Sequence, residues 1–285
     1  MATLRDIRRR IKSVKNTQQI TKAMKMVAAA KLRRAQEDII AARPYAKKMM
    51  EVLSSLAART KSLSHPLLEK RDVRKAEAVV ITSDRGMCGA FNSSIIRTAE
   101  NFIKTNKDKL EITLNLVGRK GRDYFRRRGL NIRQERTLPA GRPDYRLAAD
   151  IGQDIAENYI KGTYDEVCLI YSEFKSTLSQ RPVVVRLLPI EPANTGDFPG
   201  EYLFEPSEEA IFSQLLPKHV EVQVFRALLE SAASEHGARM TAMDSATKNA
   251  KEMISGLTLK YNRARQAAIT KELMEIIGGA EALKG

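Results

Sequence analysis

The run that most resembles a reaction site is Asp84-Arg85-Gly86-Met87-Cys88-Gly89, which directly follows the apolar segment 78–83. A glycine-containing turn between a strand and a helix can bind a phosphate through backbone N–H groups. This run lacks the third glycine of a dinucleotide fingerprint and the Gly-Lys-Ser/Thr ending of a P-loop. The spacing therefore favours a tight strand-to-helix turn, which glycines permit, over a phosphate site.

Other residues that could do chemistry are scattered along the chain. Ser83 and Asp84 have no histidine placed to act as a base, and Cys88 and Cys168 fit small packed thiols better than nucleophiles. We therefore predict no catalytic residue, no cofactor and no metal site. The histidines are too widely spaced for a metal cluster: His65, His219 and His236.

The overall composition is that of a folded, basic protein. Of 285 residues, 49 are Lys or Arg and 34 are Asp or Glu, which gives a formal net charge of +15. Hydrophobic residues make up 43% of the chain, so an intrinsically disordered protein is excluded. No apolar run approaches the roughly 18 residues that a membrane span requires. Two cysteines exclude a disulfide scaffold and fit a reducing compartment.

The residues that break helices are concentrated in the middle of the chain. No glycine precedes Gly86, and the prolines all lie between Pro44 and Pro217. Of the 16 aromatic residues, 14 lie between Phe91 and Phe225. This distribution predicts one globular domain inserted between two long terminal helices.

Periodic stripes follow both ends of the chain, with spacings that alternate between three and four residues. Such heptad patterns are typical of coiled coils. The first stripe comprises Leu4, Ile7, Ile11, Val14, Gln18, Thr21, Lys25, Ala28, Leu32, Ala35, Ile39 and Ala42. The second comprises Val222, Phe225, Leu229, Ala232, His236, Arg239, Met243, Ala246, Ala250, Met253, Leu257, Lys260 and Ala264.

Each stripe is too narrow for a globular core, so we expect the two helices to bury each other. Because a compact domain separates them in sequence, they would run antiparallel. The alternative is that the two helices pack separately on the domain surface, although helices of this length rarely lie flat on a small domain.

Pairing Ala42 with Val222 would leave the last helix unpaired beyond about Lys260. That remainder carries apolar residues on more than one face, and water does not stabilise such a surface. We therefore expect another protein to surround it. The apolar residues are Ala267, Ala268, Ile269, Leu273, Met274, Ile276 and Ile277.

The middle of the chain alternates predicted strands and helices, which indicates an α/β sandwich with a largely parallel, Rossmann-like sheet. The predicted strands are 78–83, 111–117, 131–136, 166–174 and 182–190. The predicted helices run from the Gly89 turn to about 104, over 119–128 and over 145–160. The expected divisions are a helix over 1–60, an α/β domain over 75–206 and a helix over 207–285.

Two terminal runs resemble the gamma subunit of F-type ATP synthase: Ile7–Ala30 (IRRRIKSVKNTQQITKAMKMVAAA) and Tyr261–Ala280 (YNRARQAAITKELMEIIGGA). The internal runs Thr82–Gly89 and Tyr202–Pro206 also resemble that family, so the resemblance covers essentially the whole chain. The C-terminal signature is carried here by Ile269, Thr270, Glu272, Glu275, Gly279 and Ala280.

The resemblance implies a central-stalk rotor. The antiparallel helices would form a shaft inside a hexamer of alternating alpha and beta subunits. The α/β domain would form a foot against the epsilon subunit and the membrane ring of c subunits, with one copy per complex. The chain would hold no catalytic residue and would transmit torque from proton flow to ATP synthesis.

The same resemblance implies which residues contact partners. The expected contacts with the hexamer are Lys22, Met24, Lys25, Arg239, Arg265, Gln266, Thr270 and Glu275. The expected contacts with the ring or the epsilon subunit are Tyr202, Phe204 and Glu205. Each of these could equally be an ordinary solvated or loop-packing residue.

The family resemblance also bears on regulation and location. Plant-type members carry a close pair of regulatory cysteines, whereas Cys88 and Cys168 are far apart in this chain, so thiol control is not expected. The arginine-rich N-terminus could be mistaken for a transit peptide, but its heptads belong to the predicted shaft. We expect a bacterial chain, peripherally bound at the cytoplasmic face of the inner membrane.

Two other functions fit parts of the sequence. Residues 1–43 carry 12 basic and 3 acidic side chains, and a basic coiled coil can bind nucleic acid. That model gives the apolar C-terminal end no purpose, and the basic residues surround the helix instead of lining one face. A Rossmann-type enzyme with helical arms is the other alternative, and tight nucleotide binding would identify it.

Overall fold

The computed structural model describes residues 3–59, 65–139, 142–177, 179–191 and 208–282. A short 3-10 helix at Pro66–Leu68 separates α1 from the first strand. The helices are α1 (Leu4–Arg59), α2 (Phe91–Asn106), α3 (Arg119–Arg126), α4 (Tyr145–Ile160) and α5 (Glu208–Ala282). The strands are β1 (Lys75–Ile81), β2 (Glu111–Val117), β3 (Ile132–Arg136), β4 (Glu166–Phe174) and β5 (Gln180–Leu188).

The chain divides into two compact units. The two-helix unit comprises Met1–Val27 and Met240–Gly285, and the sheet unit comprises Ala28–Arg239. Both division points fall inside long helices, so α1 and α5 each contribute to both units.

The sheet unit contains one five-stranded sheet in the order β3-β2-β1-β4-β5. β1 pairs in parallel with β2 and with β4, so that Ala78 lies between Leu114 and Cys168. β3 is also parallel, and β5 is the antiparallel edge strand. Helical crossovers are what parallel neighbours require, and the predicted Rossmann-like arrangement is confirmed.

Apolar clusters cover both faces of this sheet. On one face Phe91 and Ile95 of α2 pack with Phe125 of α3. On the other face Ile151 and Ile155 of α4 belong to a cluster that includes parts of α1 and α5. Burial on both faces explains why β1 is apolar along most of its length instead of alternating.

The long helices extend through prolines. α1 continues past Pro44 to Arg59, and α5 begins ten residues before Lys218 and contains Pro217. A proline inside a helix removes one backbone hydrogen bond. Side chains on the flanking turns compensate by packing into the sheet unit's core: Met49, Leu53, Phe212 and Leu216.

The helices of the two-helix unit pair in antiparallel directions, as predicted. The Thr21 and Thr247 hydroxyls lie 2.8 Å apart, and Lys25 Nζ lies 2.6 Å from Asp244 Oδ1. A step forward along α1 therefore corresponds to a step backward along α5. All twelve residues of the predicted N-terminal stripe are buried or half-buried.

Two details of the predicted pairing are wrong. Matching Ala42 with Val222 would put Thr21 opposite residue 243, whereas the observed partner lies about one helical turn further along. Met253 and Lys260 are exposed, while their neighbours Ile254 and Tyr261 are half-buried. The buried stripe of α5 therefore runs through Ala250, Ile254, Leu257 and Tyr261, because the partner helix packs against that side.

Candidate functional site

The end of α5 presents large apolar side chains to solvent over nearly half of its circumference. Their exposed fractions range from 49% to 71%, and successive helical residues point about 100° apart. An exposed apolar end is therefore present as predicted, although it begins later than Lys260, since Tyr261, Ala264 and Ala268 are half-buried. We call these residues the apolar tip: Ile269, Leu273, Met274, Ile276 and Ile277.

Four of the predicted contact residues lie on or beside the apolar tip. Arg265 and Gln266 are exposed, and the Thr270 hydroxyl donates to the Gln266 carbonyl at 2.9 Å. Glu275 forms an ion pair with Lys271 at 3.5 Å on the same helix. The contacts of Thr270 and Glu275 lie within the helix, so another protein could bind this surface without breaking them.

Three further predicted contacts lie on α1 in the two-helix unit. Lys22 is exposed and Met24 is half-buried. Lys25 is held by Asp244, which also pairs with Lys248 at 3.0 Å. Hydrogen bonds from these two lysines lower the pKa of Asp244. Lys25 therefore pairs across the two helices, as its place on the predicted N-terminal stripe indicates, while its ionic partner Asp244 was not predicted.

The three residues expected to contact the ring or the epsilon subunit lie outside the described residues. They are Tyr202, Phe204 and Glu205.

The loop after β1, where the glycine motif suggested a turn, is fastened to α2 by side-chain hydrogen bonds. The Ser83 backbone N–H donates to Asn92 Oδ1 at 3.0 Å, and Asn92 Nδ2 lies 3.2 Å from Cys88 Sγ. Met87 and Gly89 have φ values of 60° and 57°, in the left-handed region. Burial raises the pKa of the Cys88 thiol. The tight turn is confirmed, and its thiol is poorly suited to nucleophilic chemistry.

The crevice between the carboxyl ends of β1 and β4 is where the crossovers of this sheet reverse, and open α/β sheets bind ligands at such points. Here α5 enters it. Ser234 Oγ donates to the Ser172 carbonyl of β4 at 3.0 Å, and Arg239 Nη2 donates to the Gly86 carbonyl at 3.2 Å. Helix α5 therefore occupies the crevice in which other open α/β sheets bind a ligand.

Arg239, another predicted contact residue, is mostly enclosed at this crevice. Its side chain is 12% exposed and forms a 2.6 Å ion pair with Glu235. Burial, together with the charges of Arg239 and Lys31, lowers the pKa of the neighbouring His236 to about 4. His236 is therefore a neutral packed residue at physiological pH.

A buried ionic network joins the sheet to α4, and the sequence analysis missed it. Arg133 of β3 lies 3.0 Å from Glu77 Oε1 through Nε and 2.6 Å from Asp154 Oδ2 through Nη2. Asn115 Nδ2 also donates to Glu77 Oε1 at 3.1 Å. Burial raises the pKa of Glu77, and the Arg133 guanidinium offsets part of that rise. The sequence did contain a signal for this network, namely a polar residue in each of two largely apolar strands: Glu77 in β1 and Asn115 in β2.

A cavity of about 550 Å³ lies within the sheet unit between α1, α5 and the segment before α4. An ion pair between Arg142 and Asp38 lies at its wall. Its lining mixes cations, anions and apolar atoms without a nucleophile–base pair. Among the described residues, no group of three or more His, Cys, Asp or Glu side chains could hold a metal ion. No helix of the described chain is long and apolar enough to cross a membrane.

Comparison with known proteins gives one consistent family. A family model described as ATP synthase matches residues 3–283. The chain is 57% identical over 290 residues to the ATP synthase gamma chain of an Anaeromyxobacter species, covering 100% of both chains. It is 56% identical to the ATP synthase gamma chain of Geobacter metallireducens over 288 residues, again covering 100% of both.

Solved structures with a similar fold come from mitochondrial ATP synthases. One is the central stalk and c-ring of the Tetrahymena thermophila enzyme, with 28% identity and a TM-score of 0.61. That match covers 80% of this chain and 99% of the other. A chain of the Euglena gracilis enzyme, 21% identical with a TM-score of 0.67, covers 98% of this chain and 94% of its own and supports the fold alone.

Proposed function

We propose, because this chain belongs to the ATP synthase gamma chain family, that it is the central-stalk rotor subunit of a proton-translocating F-type ATP synthase. In this role it transmits torque from the membrane ring of c subunits to the catalytic hexamer, so that the ion gradient drives ATP synthesis. The chain itself contributes no catalytic residue.

The observation that carries this proposal is the apolar tip. A helix end with Leu273, Met274 and Ile276 exposed on different sides needs an apolar socket. A ring of alternating alpha and beta subunits supplies such a socket. Apolar contact is non-directional, so rotation of the tip within its socket breaks few hydrogen bonds.

The paired helices below the tip suit torque transmission. Two helices that share a seam resist bending and twisting more than one helix does. Exposed charged and polar residues on the pair can contact beta-subunit loops successively during rotation. We propose the exposed residues Lys22, Arg265, Gln266, Thr270 and Glu275, together with the half-buried Met24 and Lys25, for these hexamer contacts. Arg239 is mostly enclosed by its contacts with Glu235 and the Gly86 carbonyl and is left out of this set.

The sheet unit would face the other partners. We propose that Tyr202, Phe204 and Glu205 contact the epsilon subunit and the polar loops of the ring. The complex would hold one copy of this chain, peripherally bound at the cytoplasmic face of a bacterial inner membrane. The sequence divisions 1–60, 75–206 and 207–285 remain our proposal for the two shaft helices and the foot.

Affinity purification of the tagged full chain from its native host tests the proposal. We expect a nucleotide-binding hexamer of alpha and beta subunits, with one copy of this chain and the epsilon subunit. Recovery of nucleic acid instead, lost steeply between roughly 50 and 200 mM salt, would contradict the rotor function. Stoichiometric nucleotide binding by the chain alone would contradict its non-catalytic role.

A further inference from the structure

We infer that the contact of α5 with the sheet crevice, made by Ser234, Gly237 and Arg239, is the joint that transmits torque between the sheet and the shaft helix. The inference rests on the proposed rotor function and deepens it. These three residues act as positioning residues, since none of them has a reacting group to contact.

Two hydrogen bonds attach α5 to strand β4 and to the loop after β1. Ser234, which is fully buried, donates to the Ser172 carbonyl of β4 at 3.0 Å. Arg239 donates to the Gly86 carbonyl in the loop after β1 at 3.2 Å. Because hydrogen bonds depend steeply on angle, this pair opposes both rolling and sliding of the helix. Apolar packing alone is non-directional and gives less resistance.

A close approach at Gly237 holds the helix between these two bonds. A Cβ atom there would lie 3.3 Å from Gln180 Nε2, 3.5 Å from the Thr177 carbonyl and 3.6 Å from the Phe174 ring. Glycine inside a helix costs about 1 kcal/mol relative to alanine. At this position α5 lies so close to the β4–β5 connection that a side chain larger than a methyl group would press against it.

The groups that receive α5 are themselves fixed. Glu235 orients the Arg239 guanidinium through their 2.6 Å ion pair. The loop that offers the Gly86 carbonyl is tied to α2, since the Ser83 backbone donates to Asn92 Oδ1. A braced loop and an oriented cation form a stiff connection between helix and sheet.

Two mid-helix glycines of α5 allow a matched test in the assembled, membrane-bound complex. Gly237→Leu places a large side chain against the β4–β5 connection, whereas a Cβ at Gly256 would meet no atom of the described residues within 4 Å outside the adjoining turns of its own helix. Both variants gain the same helix propensity. We expect G237L to hydrolyse ATP while pumping fewer protons per ATP than wild type. G256L should match wild type in both measurements.

Ser234→Ala serves where G237L does not assemble, with Ser245→Ala on an exposed position of the same helix as its control. We expect S234A, but not S245A, to lower the number of protons pumped per ATP. If both G237L and S234A pump the wild-type number of protons per ATP, the inference is wrong. It is also wrong if G256L or S245A loses as many protons per ATP as its matched variant. An ATP synthase complex that is purified without this chain and still couples ATP hydrolysis to proton pumping would contradict the rotor function itself.

Discussion

Glu77 is a fully buried carboxylate on the central strand β1. The cost of burying this charge is offset because Arg133 and Asn115 both donate hydrogen bonds to Oε1. Among the described residues, its second oxygen, Oε2, has no hydrogen-bond partner. A buried charge that loses its partner costs far more than a surface charge does. The stability of the sheet unit therefore depends on Arg133.

We predict that Arg133→Met destabilises the sheet unit by about 3–5 kcal/mol, because it leaves Glu77 buried without its cation. The double variant E77Q/R133M should recover most of this loss, since a neutral amide still accepts from Asn115. Thermal unfolding followed by far-UV circular dichroism measures both effects. The control is Arg127→Met, an exposed arginine near the same strand. Equal melting temperatures for R133M and E77Q/R133M would refute the explanation.

Sequence reasoning could not assemble this network, and the predicted first strand, 78–83, left out Glu77, because β1 begins at Lys75. Glu77, Arg133 and Asp154 come from β1, β3 and α4, and only the crossovers bring them together. Arg239 shows the same limit, because its contact with the Gly86 carbonyl depends on where α5 crosses the sheet, although its ion pair with Glu235 lies within one helix at i,i+4 spacing. Residue type indicated a charge in each case, and the tertiary fold decided whether it faced water.

At the scale of elements, periodicity was a strong guide because heptad spacing has a direct steric cause. It predicted the buried stripe of α1, while the compact domain between the two helices predicted the antiparallel pairing that the Thr21–Thr247 and Lys25–Asp244 contacts show. The stripe of α5 was predicted less accurately. After Ala250, and again after Leu257, a step of three residues and a step of four both fit a heptad pattern. Ile254 and Tyr261 are the half-buried residues, since the partner helix selects the side.

We predict that Val14→Pro abolishes assembly with the hexamer. Val14 lies on the buried stripe of α1, and proline there removes the hydrogen bond to the Arg10 carbonyl and clashes with the preceding turn, at ~3 kcal/mol or more. Arg5→Pro is the matched control, because its N–H in the first helical turn has no intrahelical acceptor. Co-purification yield is the measurement. Recovery of V14P at the level of R5P would exclude the coiled coil as an assembly requirement.

At the scale of the molecule, helix breakers and packing mark different boundaries. The sequence suggested divisions at 60–75 and at 206–207, outside the long helices, whereas the compact units divide inside α1 and α5. Met49 of α1 and Phe212 of α5 belong to the core of the sheet unit although they lie on the long helices. Helix propensity shows where a helix continues, and it carries no information about where its packing partner changes.

The apolar tip makes the whole molecule dependent on its partners. The full chain alone should self-associate, because exposed large apolar residues near one helix end favour intermolecular contact. Truncation after Thr270 removes Leu273, Met274, Ile276 and Ile277, so we predict a more monodisperse chain in size-exclusion chromatography.

The same truncation should lower the transmitted torque only in part. It should not prevent assembly, since the paired helices remain. ATP-driven proton pumping and hexamer co-purification, measured on the same complex, separate these effects. The variant K271A/E272A, which changes exposed polar residues and keeps every apolar side chain of the tip, is the control and should still self-associate when isolated. A monodisperse full-length chain without partners would show that the tip needs no socket, and it would remove the main support for the rotor assignment.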